Sequence, residues 1–152
     1  MIGLWFLGGM LFVALVGGQT ALAGDATTVA WHRDVQDAWN AARQQGRPML
    51  VFVTRGDCYY CTQMKDRTYA NATVAGIINQ SFVPLVLDGG QNSPLAKLLG
   101  VTRYPTTVVI SPDAVVLARL DGFVAEEAMC SRLNSLRSTS PVAKVAKVVK
   151  DP

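Results

Sequence analysis

The sequence predicts an α/β domain, and three observations carry that prediction. Apolar runs of strand length, Met49 to Val53 and Phe82 to Leu87, are separated by segments whose apolar residues recur at helical spacing. Two further apolar runs, Thr106 to Ile110 and Val115 to Leu120, are joined by Ser111-Pro112-Asp113-Ala114, the composition of a hairpin turn. Directly after the first run stands Cys58-Tyr59-Tyr60-Cys61, two cysteines three apart at the expected start of a helix.

The elements follow in chain order. Met1 to Ala23 has no charged side chain, is apolar from Ile2 to Val16, and ends in Ala21-Leu22-Ala23 before Gly24, which predicts an export signal cleaved near Ala23. The rival is an uncleaved anchor formed by residues 2–23, since about 20 apolar residues span a bilayer and only Gln19 and Thr20 are clearly polar there. Both readings put the domain outside the cytoplasm, in the periplasm. The division is a signal or anchor over 1–23, a linker over 24–30, one domain over 31–138 and a basic flexible tail over 139–152.

Within the domain, Trp31, Val35, Ala38, Trp39 and Ala42 recur at helical spacing until Gly46, with Pro48 two residues on, so a first helix is expected over about 31–45. The run Met49 to Val53 has no polar alternation, as in a strand covered on both faces. The cysteine segment continues helically to Arg67, Ala72 to Asn79 forms a further helix, and Phe82 to Leu87 returns as a strand. Asp88 to Asn92 is a loop, and Leu95, Leu98 and Leu99 make a short helix that Gly100 ends. After the hairpin, Val124 to Arg137 forms the last helix, its core face Met129, Leu133 and Leu136.

Composition narrows the function. Half of the 152 residues are hydrophobic and 16% are charged, so the chain can bury a core without covalent staples. Three cysteines, two of them in one short motif, favour chemistry over a disulfide scaffold. Three lysines and Asp151 in the last dozen residues supply two of the three net positive charges, which leaves the domain near neutral and without the footprint of a nucleic-acid binder. The tail spaces Lys144, Lys147 and Lys150 between valines, a pattern too sparse for more than weak binding to anionic lipid. A zinc or copper site lacks ligands, because His32 is the only histidine and there is no second cysteine pair. Cys130 is expected to be a partly buried, inert thiol. For Cys58 and Cys61 two readings stand: a disulfide that opens and closes by exchange, or a permanent one on a binding module.

Arg47-Pro48-Met49-Leu50-Val51-Phe52 before the C-x-x-C, Phe82-Val83-Pro84-Leu85-Val86-Leu87-Asp88 after it, and Tyr104-Pro105-Thr106-Thr107-Val108-Val109-Ile110 further on resemble the thioredoxin-like superfamily. The chain is most similar to its exported members, which begin with an extra helix and a Gly-Lys/Arg-Pro entry to the strand, here Gly46-Arg47-Pro48. The resemblance runs from about Trp31 to Leu136 and implies a central mixed sheet flanked by helices. By position it implies that Cys58 attacks, Cys61 resolves, and Pro105 is a cis-proline facing them. No cofactor is implied beyond the redox-active Cys58–Cys61 disulfide.

Physical chemistry supports these roles. Unpaired amides at a helix N-terminus stabilise a thiolate at Cys58, while Cys61 lies a turn deeper. A cis-proline turn leaves the backbone at Tyr104 available to pair with an extended substrate segment, so Tyr104 and Pro105 are expected to dock substrate. For Tyr59 and Tyr60 two readings stand: they line the docking surface, or a tight active-site turn forces them into solvent. Three departures from the family pattern stand out. Asp57 occupies the position before the first cysteine, where many thioredoxins have Trp; it opposes a thiolate at Cys58 unless Arg55 and Lys65 point inward to offset it. Tyr59-Tyr60 replaces Gly-Pro. The family's buried acid, six residues before the attacking cysteine, falls on Phe52. The expected activity is thiol-disulfide exchange on protein disulfides. With no histidine between the cysteines it leans to reduction, supplied by a membrane electron donor, as in the family.

Overall fold

A computed structural model describes residues 27–90 and 93–139. The proposed export segment and nearly all of the basic tail lie outside them. No helix among the described residues is long and apolar enough to cross a membrane.

Helix α1 spans Val35–Gln45. It starts four residues later than its apolar spacing predicts, because the Asp34 side chain accepts from the Asp37 amide at 2.9 Å and caps it there. Gly46, at φ 61°, closes the other end in the left-handed conformation that glycine adopts at least cost. Trp31 is therefore off the helix. His32 runs extended along the outer side of the second strand, its N–H donating to the Pro84 carbonyl (2.9 Å) and its carbonyl accepting from Val86 (3.0 Å). Just before it, the end of the expected linker is pinned by Asn79, whose side chain bonds the Ala30 amide and the Thr28 carbonyl.

The strands are β1 (Met49–Thr54), β2 (Val83–Asp88), β3 (Thr106–Ile110) and β4 (Val116–Asp121), in sheet order β2-β1-β3-β4. β1 runs parallel to β2 and antiparallel to β3, and β3 is antiparallel to β4, so the sheet is mixed as expected. β4 pairs with β3 alone, and Val115, Val116 and Leu117 beside the hairpin are exposed. Ala114 makes that hairpin turn at φ 64°.

Alternation along the central strands splits the interior in two. Met49, Val51 and Val53 join Leu85, Leu87, Val108 and Ile110 against Ala38 and Ala42 of α1, with helix α4 (Ser93–Leu98) completing this layer through Ala96. Leu50 and Phe52 face the other way, with Val109, onto helices α2 (Tyr59–Gln63), α3 (Ala72–Ser81) and α5 (Glu126–Thr139). Both clusters consist of fully or almost fully buried side chains, which is why β1 shows no polar alternation in sequence. α5 presents Met129 and Leu133, both fully buried, and Leu136 to this second layer, as its spacing predicts. Cys130 beside them is a free, half-buried thiol.

Candidate active site

β1 ends at Thr54, and three exposed residues, Arg55, Gly56 and Asp57, lead to Cys58. Cys58 is the N-cap of α2, with extended backbone (φ −121°, ψ 102°). Its Sγ accepts from the Cys61 amide at 3.1 Å, and its carbonyl accepts from the amides of Cys61 and Thr62. The helix N-terminus thus points one donor, the Cys61 amide, at the sulfur of Cys58. Cys58 and Cys61 form a disulfide, with Cα atoms 5.2 Å apart. The pair is asymmetric: Cys58 is half-buried, whereas Cys61 is 1% exposed within the second core.

The helix does not end with α2. Met64–Tyr69 continues it as a π-helical turn, whose wider winding lets Met64, Thr68 and Tyr69 all reach the core. The opposite face carries Tyr59 (71% exposed) and Tyr60 (60%), rings edge-on at 5.4 Å, followed by Lys65, Asp66 and Arg67. Arg55 and Lys65 are exposed rather than inward-pointing, as is Asp57, and none forms an ion pair among the described residues. Water therefore screens whatever Asp57 and its basic neighbours do to Cys58.

β3 begins at Thr106 opposite Val53 of β1, which puts Tyr104-Pro105 at the same end of the sheet as the cysteine loop. The Tyr104–Pro105 peptide is cis. Pro105 is buried, and its carbonyl accepts from the Gly122 amide at 2.8 Å, tying the turn to the end of β4. The Tyr104 ring turns inward: it packs against both core clusters and lies over Gly89, where an added Cβ would stand 2.6 Å from Oη. The Tyr104 N–H and C=O take no hydrogen bond among the described residues.

Phe52, at the family's acid position, is buried between Trp31 (5.9 Å) and Tyr69 (4.9 Å), which themselves meet edge to face at 5.0 Å. The Tyr69 hydroxyl bonds Thr107 Oγ1 at 2.7 Å, and burial pushes this phenol well above its ordinary range, against a smaller downward pull from that bond. A phenyl ring has no group that accepts a proton, so Phe52 cannot take one from Cys61. No group of His, Cys, Asp or Glu that could hold a metal lies among the described residues.

Sequence reasoning missed Phe123. Gly122, at φ 87°, turns the chain after β4 and leaves Phe123 38% exposed. Together with Tyr59, Tyr60, Gln63 and Arg67 it walls a cleft of about 180 Å³. The available signal was Asp121-Gly122-Phe123, an aromatic placed just after a strand and a glycine.

The comparisons fit this geometry. A thioredoxin from Thermus thermophilus superposes with a TM-score of 0.69 at 21% identity over 77% of this chain and 93% of that one. A DsbH oxidoreductase gives 0.64 at 20% over 74% and 86%, and a disulphide isomerase from Xylella fastidiosa Temecula1 gives 0.59 at 18% over 67% and 87%. At such identities these likenesses concern the fold. Among curated proteins, the uncharacterized protein B0495.5 of Caenorhabditis elegans is 25% identical over 93 residues, 56% of this chain and 13% of that protein. Spermatogenesis-associated protein 20 of Rattus norvegicus is 23% identical over 70 residues, 46% and 9%. The chain thus matches only a small part of these long relatives. The family model for the thioredoxin-like domain matches residues 35–137, from the start of α1 through nearly all of α5. With its mixed sheet, its C-x-x-C disulfide at a helix start and this match over most of its length, the chain belongs to the thioredoxin-like domain family.

Proposed function

We propose that the protein is an exported thiol-disulfide oxidoreductase that reduces disulfides of other proteins through Cys58 and Cys61. The observation that carries this reading is the asymmetry of the pair: a half-buried sulfur facing an amide at a helix start, joined to one sealed in the core. In the reduced state the Cys58 thiolate attacks one sulfur of a substrate disulfide, and the other sulfur leaves as a thiolate. Cys61, once deprotonated, attacks Cys58 Sγ, the mixed disulfide breaks, and the substrate departs as a dithiol. Two electrons pass to the substrate, and a dithiol donor, in this reading a membrane-bound one, restores Cys58 and Cys61. Export follows from the apolar segment before Gly24, and periplasmic residence from export.

One observation favours a second reading, a binding module whose disulfide stays closed: Phe52 leaves Cys61 without the family's proton acceptor. The reduction potential separates the two. Equilibration in thiol-disulfide buffers, with free thiols counted above the constant one of Cys130, should place the Cys58/Cys61 couple between about −120 and −270 mV, the span of exchange enzymes. A couple that stays oxidised below about −300 mV overturns the enzyme reading in favour of the module. In an enzyme, Cys61→Ala should also accumulate mixed disulfides through Cys58.

A further inference from the structure

The cleft between the cysteine helix and the β4–α5 connection takes neither Tyr104 nor Pro105 into its lining, although Gly122 beside Phe123 is bonded to Pro105. Tyr59, Tyr60 and Phe123 supply three exposed aromatic rings, Gln63 an amide and Arg67 a guanidinium. The Arg67 guanidinium is exposed and takes no ion pair or hydrogen bond among the described residues. It sits inside the π-helical turn, an irregularity that recurs at functional positions.

The two walls are held to each other. The Val124 amide donates to Met64 Sδ at 3.4 Å, and the Val124 carbonyl accepts from Thr68 Oγ1 at 2.5 Å. Phe123 is thereby fixed opposite the helix face that carries Tyr60, Gln63 and Arg67, so an incoming segment meets a cleft already formed. Of the described residues that line the cleft Arg67 alone is charged; farther out, Arg55, Lys65 and Arg103 stand against Asp57 and Asp66 on the cysteine side, with Asp121, Glu126 and Glu127 flanking Phe123 on the other. Tyr59 and Tyr60 lie between the two cysteines, so whatever fills the cleft lies beside the reacting sulfur.

We propose that this cleft is a substrate subsite that selects an acidic protein segment, taking an apolar side chain among the three rings and a neighbouring carboxylate on Arg67, within a few residues of the disulfide presented to Cys58. The inference rests on the exchange reading above. Aromatic rings accept an apolar residue of any shape, while the guanidinium sets the sign of the charge beside it. The selection acts on the first step, formation of the mixed disulfide.

The test uses the reduced full chain and three probes: two matched peptides, each with one internal disulfide, carrying Phe-Glu or Phe-Lys beside the cysteine, and the neutral bis(2-hydroxyethyl) disulfide. Acid-quenched rate constants should favour the Phe-Glu peptide by about five- to tenfold at low salt, and 1 M NaCl should shrink that ratio. Arg67→Glu should abolish or invert the ratio and Arg67→Lys should keep most of it, while Phe123→Ala should slow both peptides about three- to tenfold. Equal rates for the two peptides, or a ratio that survives Arg67→Glu, overturn the subsite while leaving exchange intact. No reaction of the parent protein with any probe overturns the exchange reading and the subsite with it.

Discussion

Gly89→Ala should destabilise the protein through one contact. The new methyl would run into Cε1 of Tyr104 and stand 2.6 Å from its Oη and 2.7 Å from its Cζ, where carbon atoms need about 3.5–4.0 Å. The ring must therefore retreat by about 1 Å, yet it packs against both core clusters. The backbone has little freedom to yield either, since the Gly89 amide donates to the Thr54 carbonyl at 2.7 Å. Overpacking of this kind costs about 1–3 kcal/mol. Against it stands the loss of unfolded-state freedom on replacing glycine, worth about 0.4–1 kcal/mol, so the expected net loss is about 1–2 kcal/mol. Tyr104→Ala, which empties part of both cores, should cost about 2–4 kcal/mol by itself. Once the ring is gone the methyl fits, and the double variant should be more stable than the two single losses added together by about 1–3 kcal/mol. Urea unfolding of the oxidised protein measures all four states, with the Gly89→Ala midpoint expected to fall by about 1 M. A Gly89→Ala protein within about 0.5 kcal/mol of the parent, or strict additivity in the double variant, would refute the reasoning.

The buried Tyr69 phenol should make the protein sensitive to alkali. Its proton is held more tightly when folded than when unfolded, so its contribution is fully present below about pH 10 and is lost as pH rises towards the folded value, at up to about 1.4 kcal/mol per pH unit. Guanidinium titrations at pH 9 and 11 should show Tyr69→Phe with a smaller alkaline loss than the parent, and equal losses would count against it. At neutral pH the same variant should be about 1–2 kcal/mol less stable, because the buried Thr107 hydroxyl loses its partner. Ala114→Gly relieves a left-handed alanine in the hairpin turn and should raise stability by about 0.5–1 kcal/mol, read as a higher thermal midpoint; a lower one would show that glycine's unfolded-state freedom outweighs the relief.

The strands were legible because burial on both faces leaves unbroken apolar runs, and β1 and β3 are buried along their whole length. Trp31 misled for a related reason: its spacing from Val35 continues the helical pattern by coincidence, although its ring belongs to the opposite layer from α1. The capping carboxylate of Asp34 carried the true start. Cys58, Cys61 and the Tyr104-Pro105 turn were readable from family motifs, since short spacings preserve them. The direction of the Tyr104 ring was not, because it depends on Gly89, distant in sequence and adjacent only in the folded chain. The same holds for the cleft: Arg67 and Phe123 meet only because Val124 is tied to Met64 and Thr68.

The two outer strands of the sheet face opposite fates in a crowded solution. β2 is shielded where His32 occupies the bonding groups of Pro84 and Val86, and Pro84 has no N–H to lend. Among the described residues β4 has no such cover, and its hairpin end is rich in exposed valine and leucine. A template that accepts a neighbour on one flank only cannot propagate. Any backbone pairing between copies of this fold would therefore end at two molecules joined β4 to β4, and growth into a filament would first require His32 to peel away.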